Sequence, residues 1–461
     1  MTELLAGLLG AVRLRQPWMG AACLVVVAAL AASLWIARTR HLTRRRQLVV
    51  PLAGLALGLA GWWAVDVAWR PVADGLGPVV WTWTGLTGAV VVQSLLGGAA
   101  RADHDRAHDW RRRLAHAVGS GASIVAAVVA GLLAVNAFFA AFPTLAAVFD
   151  MGVATTPLAA LPAAAAHPSP PRRGEGALSA TWSAPADMPS RGEVVTATIP
   201  AGDQSGTRGF RPREAMIYLP PAYLTEQRPA LPVVVALTGQ PGSPSDWYEL
   251  GALKDTMDAY AAEHDGLAPV VVVADLLGSP YRNPLCSDTE RGGRVATYLE
   301  RDVPEWVRQN LQVDSDASRW AVAGLSNGGT CALQVASRAP HVYPTFLALS
   351  AEEHPSLGDE GRTVTTGFGG DLAAYEANDP LAIVAAAPSD RYAGVAGIVS
   401  VGRDDRAYMP VAPVLVEAMT RAGMSVTERD YPGRHTWALW SVALADQMDW
   451  LGQRLGIVPA P

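Results

Sequence analysis

The sequence predicts a mainly parallel α/β domain carried behind four membrane-crossing helices. Seven short strands, most of them continuously apolar, recur after Val194 with helical stretches between them. Strands buried on both faces and alternating with helices indicate a parallel sheet covered on both sides. Half of the 461 residues are hydrophobic, a high share for a soluble chain, and the excess lies in long uncharged runs before residue 143. The third observation is local: Trp320 to Ser337, WAVAGLSNGGTCALQVAS, reads as strand, tight turn and helix with a serine at the turn.

Residues 17–37 run without a charge for about the length a bilayer core requires. They are followed by RTRHLTRRR, five arginines in nine residues. The second span, Leu48 to Trp69, carries Trp62, Trp63 and Trp69 towards one end, as an interfacial aromatic belt does, and its Asp66 is expected near that interface. A third span covers Leu76 to Leu96, and a fourth runs from Leu114 to Phe142. Between them, Arg101 to Arg113 holds five arginines, partly offset by Asp103, Asp105 and Asp109. The two arginine-rich connections are the first and the third, so the positive-inside rule puts both in the cytoplasm and everything after Phe142 outside it. Arg13 and Arg15 oppose this, two charges against ten. Leu4 to Val12 is too short to span and is expected to lie along the interface. A cleavable signal peptide is not expected, because the first span ends in arginines.

These patterns divide the chain into a membrane domain over 1–142, an Ala/Pro-rich extracytoplasmic linker over 143–192 and an α/β domain over 193–461. The linker, with LPAAAAHPSPPRRGEG, holds too little bulky apolar side chain to offset its ordering entropy. Beyond it, Met216 to Pro220, Pro232 to Thr238, Pro269 to Asp275, Trp320 to Leu325, Thr345 to Ser350, Gly397 to Gly402 and Ser425 to Tyr431 read as strands. Gly251 to His264, Gly293 to Leu311, Asn327 to Arg338, Ala407 to Ala422 and Thr436 to Leu455 read as helices.

Gly324-Leu325-Ser326-Asn327-Gly328, between a strand and a helix, reads as a nucleophile elbow. Glycines flank the serine because the turn is strained and neighbouring backbone comes close. A serine hydroxyl becomes nucleophilic when a histidine takes its proton and a carboxylate orients that histidine. The strand GIVSVG is followed by Arg403-Asp404-Asp405, an acid at the carboxyl end of a strand, where such sheets place their ligands. Asp405 is preferred for its G-x-x-D spacing from Gly402; Asp404 is the alternative, and either can instead cap the helix that starts near Ala407. His435, in the turn before the last helix, completes the order Ser, acid, His. The other histidines lie in or beside the membrane loops, in the linker, at a helix end or ahead of the acid. The oxyanion donors are then the amide of Asn327, the residue after the serine, and that of Gln240 in Thr238-Gly239-Gln240-Pro241-Gly242. Trp247 either walls an acyl pocket or simply starts a helix.

Cys23 sits in an apolar run. Cys286 and Cys331 can meet near the rim of the site, where an oxidising compartment would join them; two buried free thiols are the alternative. A net charge of -6 gives no argument for nucleic acid. No H-E-x-x-H, paired-cysteine, calcium-loop or dinucleotide motif is found, so no metal or cofactor is expected.

LTGQPGSPSDW, NPLCSD, TYLERDVPEWV and GLSNGGTCALQ together resemble the esterase D-like branch of the α/β-hydrolases, which includes S-formylglutathione hydrolases and the secreted mycolyltransferases of actinobacterial envelopes. The resemblance covers about Glu193 to Gly456 and leaves out the membrane part. It implies an α/β-hydrolase fold with Ser326 as nucleophile, His435 as base, Asp405 as orienting acid, and the Gln240 and Asn327 amides as oxyanion donors. One departure is that the first glycine loop, which usually opens His-Gly or Asp-Gly, is Thr238-Gly239 here; the backbone donor survives, whereas transfer of substrate does not follow. The expectation is a multi-pass membrane-anchored serine esterase or acyltransferase acting outside the cytoplasm on carboxylic esters, with lipid-linked or envelope esters as substrates and the bilayer as its partner. Two rivals are a non-catalytic envelope-binding protein with a hydrolase-like shell, and a transport or lipid-binding role for the spans, against which the scarcity of embedded charge weighs.

Overall fold

The computed structural model describes residues 8–15, 17–39, 44–70, 75–102, 110–149, 153–161, 176–202, 209–388 and 390–460. The chain divides into two compact units, Met1–Met151 and Gly152–Pro461.

The first unit is built from α1 (Pro17–Thr39), α2 (Arg44–Trp62, continued as a π-helical turn over Trp63–Trp69), α3 (Gly77–Ala102) and α4 (Trp110–Phe139). Among the described residues, Leu48–Trp69, Gly77–Leu96 and Ala117–Phe139 are long and apolar enough to cross a membrane. The expected first span is helical too, but its apolar stretch, Ala21–Ser33, is shorter than the other three. Glycines set the contact between α2 and α3. A Cβ on Gly54 would lie 2.6 Å from the Gly85 carbonyl oxygen, and one on Gly58 2.8 Å from that of Trp81. Small residues at such a crossing let two backbones approach where lipid supplies no hydrophobic drive. Asp66 accepts hydrogen bonds from the Leu76 amide (2.9 Å) and the Trp81 indole (2.6 Å), which ties the end of α2 to the start of α3.

The second unit holds a nine-stranded sheet. Its strands are β1 (Thr156–Pro157), β2 (Glu193–Ala197), β3 (Ala215–Leu219), β4 (Val233–Leu237), β5 (Val270–Val273), β8 (Trp320–Leu325), β9 (Thr345–Leu349), β10 (Ala396–Gly402) and β11 (Ser425–Tyr431); β6 (Asp288–Thr289) and β7 (Gly293–Arg294) form a separate ribbon. The order is β1-β2-β3-β5-β4-β8-β9-β10-β11. β3 runs antiparallel to β2 and β5, and the remaining pairs are parallel. This is the mainly parallel sheet of an α/β-hydrolase. β4, β5, β8 and β9 are buried throughout, as their apolar runs require, with Thr345 at the start of β9 the one polar residue among them. β11 lies at the edge and carries Glu428, Arg429 and Asp430, charges that discourage pairing with another chain.

The helices packed on this sheet include α5 (Leu253–Glu263), α6 (Val303–Asn310), α7 (Asn327–Arg338), α8 (Val411–Arg421) and α9 (Trp437–Arg454). Three features differ from the sequence expectation. The helix expected over Gly293 to Leu311 begins at Val295, because β7 takes Gly293 and Arg294, and then runs without interruption to Asn310 with a π turn over Tyr298–Asp302 inside it, α6 being its last part. Pro304 lies just beyond that turn; it has no amide to donate to the preceding turn, so the regular ladder is interrupted there while the helix continues. Short helices between Glu360 and Ala386 were not foreseen. The linker is also narrower than 143–192. Residues 162–175 lie outside the described residues, but β1 adds to β2, the Leu178 amide donates to the Gly456 carbonyl (3.0 Å) and Trp182 Nε1 donates to the Asp265 carbonyl (2.8 Å). Leu158, Leu161, Leu178 and Trp182 pack on the core, so scattered bulky residues anchor a segment whose average composition is that of a tether.

Candidate active site

The chain crosses from β4 to β5 on one side and reaches β8 on the other, so the order reverses between β4 and β8. Crevices outside the carboxyl ends of strands at such a reversal are where open α/β sheets bind ligands. Ser326 follows β8 there. It has φ +53° and ψ −126°, and its amide donates to the Leu349 carbonyl at 2.8 Å. Positive φ is costly for a residue with a side chain and persists only where the surroundings impose it. The glycines impose it. A Cβ on Gly324 would fall 1.9 Å from the Gly328 oxygen, and one on Gly328 2.4 Å and 2.5 Å from the Leu237 and Thr238 oxygens.

His435 reaches back from the turn between β11 and α9. Its Nε2 lies 2.9 Å from Ser326 Oγ and its Nδ1 2.9 Å from Asp405 Oδ2. A carboxylate only accepts, so Nδ1 carries the proton and Nε2 is left to accept from the serine hydroxyl. Asp405 is 6 % exposed and also receives the Tyr408 amide at 3.4 Å. Asp404, the alternative, is exposed, and its amide donates to the Gly433 carbonyl. The structure thus brings Asp405, and not Asp404, to His435. The imidazole is held between rings: Tyr408 stacks on it with centroids 4.1 Å apart, and Trp440 meets it edge-on at 4.8 Å. Trp440 is itself fixed by an Nε1 hydrogen bond to Ser350 Oγ (3.0 Å). Neither ring was singled out from sequence, because aromatic residues in a turn and a helix carry no sign of which ring they will face.

The Gln240 loop flanks the serine. A Cβ on Gly239 would sit 3.2 Å from Ser326 Cβ and from Leu325 Cδ1, a tight contact, so the glycine lets this loop run close to the serine without displacing either. The Gln240 side chain donates to the Tyr281 carbonyl at 3.1 Å. Asn327 opens α7, and its side-chain amide donates to Asn283 Oδ1 at 3.3 Å. Burial raises the Asp246 carboxyl above its ordinary value, opposed by hydrogen bonds from the Ser243 hydroxyl and amide. Trp247 is buried, packed edge-on against Trp437 at 5.8 Å. Among the described residues no cluster of His, Cys, Asp and Glu is placed to hold a metal.

Cys286 and Cys331 are joined, with Cα atoms 5.4 Å apart. The bridge ties the loop carrying Asn283 to α7, five residues beyond Ser326. Closing a loop of 45 residues restricts the unfolded chain, so Cys286→Ala/Cys331→Ala is expected to lose about 3–4 kcal/mol of unfolding free energy. Denaturant titration of the full chain measures this, and a midpoint unchanged from the wild type would contradict it.

Residues 209–451, more than half of the chain, match the model of the family described as putative esterase. The chain belongs to that esterase family. A protein of Corynebacterium glutamicum described as uncharacterized is 37% identical over 269 residues, which is 58% of this esterase chain. The match covers 63% of that relative, less than two thirds of its length. Among solved structures, a ferulic acid esterase is 23% identical with a TM-score of 0.48, over 57% of this chain and 99% of that one. An S-formylglutathione hydrolase from Agrobacterium tumefaciens is 21% identical with a TM-score of 0.46, over 59% and 98%.

Proposed function

We propose that this chain is a membrane-anchored serine esterase that acts on carboxylic esters outside the cytoplasm through an acyl-enzyme. The observation that carries the reading is the unbroken line Asp405, His435, Ser326, with 2.9 Å at each link, beside a glycine loop at the sheet's reversal point. Ser326 Oγ attacks the ester carbonyl and gives its proton to His435 Nε2, while Asp405 holds the ring in the right tautomer and steadies the imidazolium. The Gln240 and Asn327 amides receive the developing oxyanion, aided by the amino end of α7. His435 then protonates the leaving alcohol. Water, activated by the same ring, releases the acid; a sugar or lipid hydroxyl in its place makes the reaction an acyl transfer.

Three apolar helices of spanning length support anchoring in a bilayer. The arginine-rich loops support placing the Gly152–Pro461 unit on the non-cytoplasmic side. The joined cysteines agree with an oxidising compartment. Lipid-linked or envelope esters are the substrates this location favours.

The test is labelling of the full-length protein with a fluorophosphonate. Wild type is expected to take up the probe stoichiometrically and Ser326→Ala not at all. A folded wild-type protein that stays unlabelled would leave the non-catalytic binding role as the better reading.

A further inference from the structure

Gly242, two residues beyond Gln240, is held from two directions. Its carbonyl accepts a hydrogen bond from Arg213 Nη2 at 2.9 Å, and its amide donates to the Pro280 carbonyl at 3.1 Å. Both directions lead back to Asp275, which follows β5 and is fully buried. Its carboxylate receives Arg213 Nη2 (2.7 Å), Nε (3.0 Å) and backbone amide (2.7 Å), together with the amides of Leu277 (3.0 Å) and Gly278 (3.1 Å). Leu277 and Gly278 begin the turn that supplies Pro280 to Gly242 and the Tyr281 carbonyl to the Gln240 side chain. One buried carboxylate therefore orients both supports of the loop beside Ser326. A buried charge is expensive unless fully partnered, and this one has a partner at each oxygen.

We propose that Arg213, anchored by Asp275, is a positioning residue that sets the direction of the Gln240 amide by fixing the Gly242 carbonyl; this rests on the esterase function proposed above. Pro241 lies between the two, and its ring fixes φ, so restraint on Gly242 reaches Gln240 with little slack. Only a planar guanidinium holds both oxygens of a carboxylate and a third acceptor at once; a lysine ammonium lacks that fork. Asp275 carries a signature like that of Asp405, an acid within three residues of the end of an apolar strand, while Arg213, in RPRE, carries none.

The experiment compares full-length wild type and Arg213→Lys in detergent, measuring kcat and KM on a p-nitrophenyl ester and the Ki of a trifluoromethyl ketone. The ketone adds to the serine as an oxyanion and so reports on the loop. In the variant kcat is expected to fall about 10- to 100-fold with KM within about twofold, because the loop acts on the transition state rather than on the bound ester. Ki is expected to rise by the factor by which kcat/KM falls. A folded Arg213→Lys with wild-type kcat overturns the proposal, as does a fall in kcat with unchanged ketone affinity. If Arg213→Lys does not fold, Arg213→Met/Asp275→Asn replaces it under the same two criteria, since the amide oxygen, in the place of Oδ2, still accepts from the backbone amides of residues 213 and 278 and no unpaired charge is left buried. A wild-type protein that neither turns over ester nor binds ketone defeats the esterase reading itself, which separates the two failures.

Discussion

His435→Gln is expected to lower kcat/KM for a soluble aryl ester by about 10⁴-fold while leaving the folded structure in place. Glutamine can hydrogen-bond to Ser326 but cannot take its proton, so the hydroxyl remains a weak nucleophile. The side chain is about a quarter exposed and sits in a turn, so its replacement opens no core cavity. Asp405→Asn tests the other link. An amide in place of the carboxylate can donate to Nδ1, which favours the tautomer with its proton on Nε2 and turns the acceptor facing Ser326 into a donor. Its expected loss is about 10³- to 10⁴-fold, and the double variant should be little worse than His435→Gln alone, because the three groups act as a unit. Steady-state kinetics beside a thermal melt of each variant decides it. A His435→Gln protein within tenfold of wild type would remove the imidazole from the chemistry.

Gly328→Ala is expected to be among the most damaging single methyl additions in the chain, at about 4 kcal/mol or more, or to prevent folding outright. The added carbon would meet two carbonyl oxygens, those of Leu237 and Thr238, inside ordinary contact distance. Neither belongs to a flexible side chain. Relief requires moving the end of β4, and with it the loop that carries Gln240, so any folded remnant should also lose fluorophosphonate labelling. Gly361→Ala is the control, because its nearest neighbour, Asp359 Oδ1, would lie at 3.6 Å. Denaturant unfolding and protease resistance of the full-length protein report the difference. Equal stability of the two variants would show that the elbow tolerates a side chain there.

The contrast between Gly328 and Asp275 indicates what a sequence can carry. Gly324, Ser326 and Gly328 are legible because a strained turn between a buried strand and a helix demands particular residues at fixed short spacing. The inner strands are legible for a similar reason: a strand covered on both faces is apolar almost throughout, as β4, β5, β8 and β9 are. The order Ser, Asp, His survives any folding of the chain, so Ser326 and His435 were open to selection by position. β1 and β2 were not, since Thr156–Pro157 and Glu193–Ala197 become strands only by finding a neighbour. The two-residue delay in the helix expected from Gly293 was hidden as well, because β7 there is fixed by its pairing with β6.

The sequence by itself determined the class of the sheet, the turn bearing Ser326, the long apolar helices and the set of residues from which a hydrolytic site could be drawn, because each depends on periodicity or on backbone conformation within a few residues. Only the tertiary structure decided between Asp404 and Asp405, set Tyr408 and Trp440 against His435, joined Cys286 to Cys331 and tied Arg213 to Asp275 across 62 residues. Adjacent residues in a turn point in different directions, and partners far apart in the chain are matched by the packing of the whole domain, which no local pattern records.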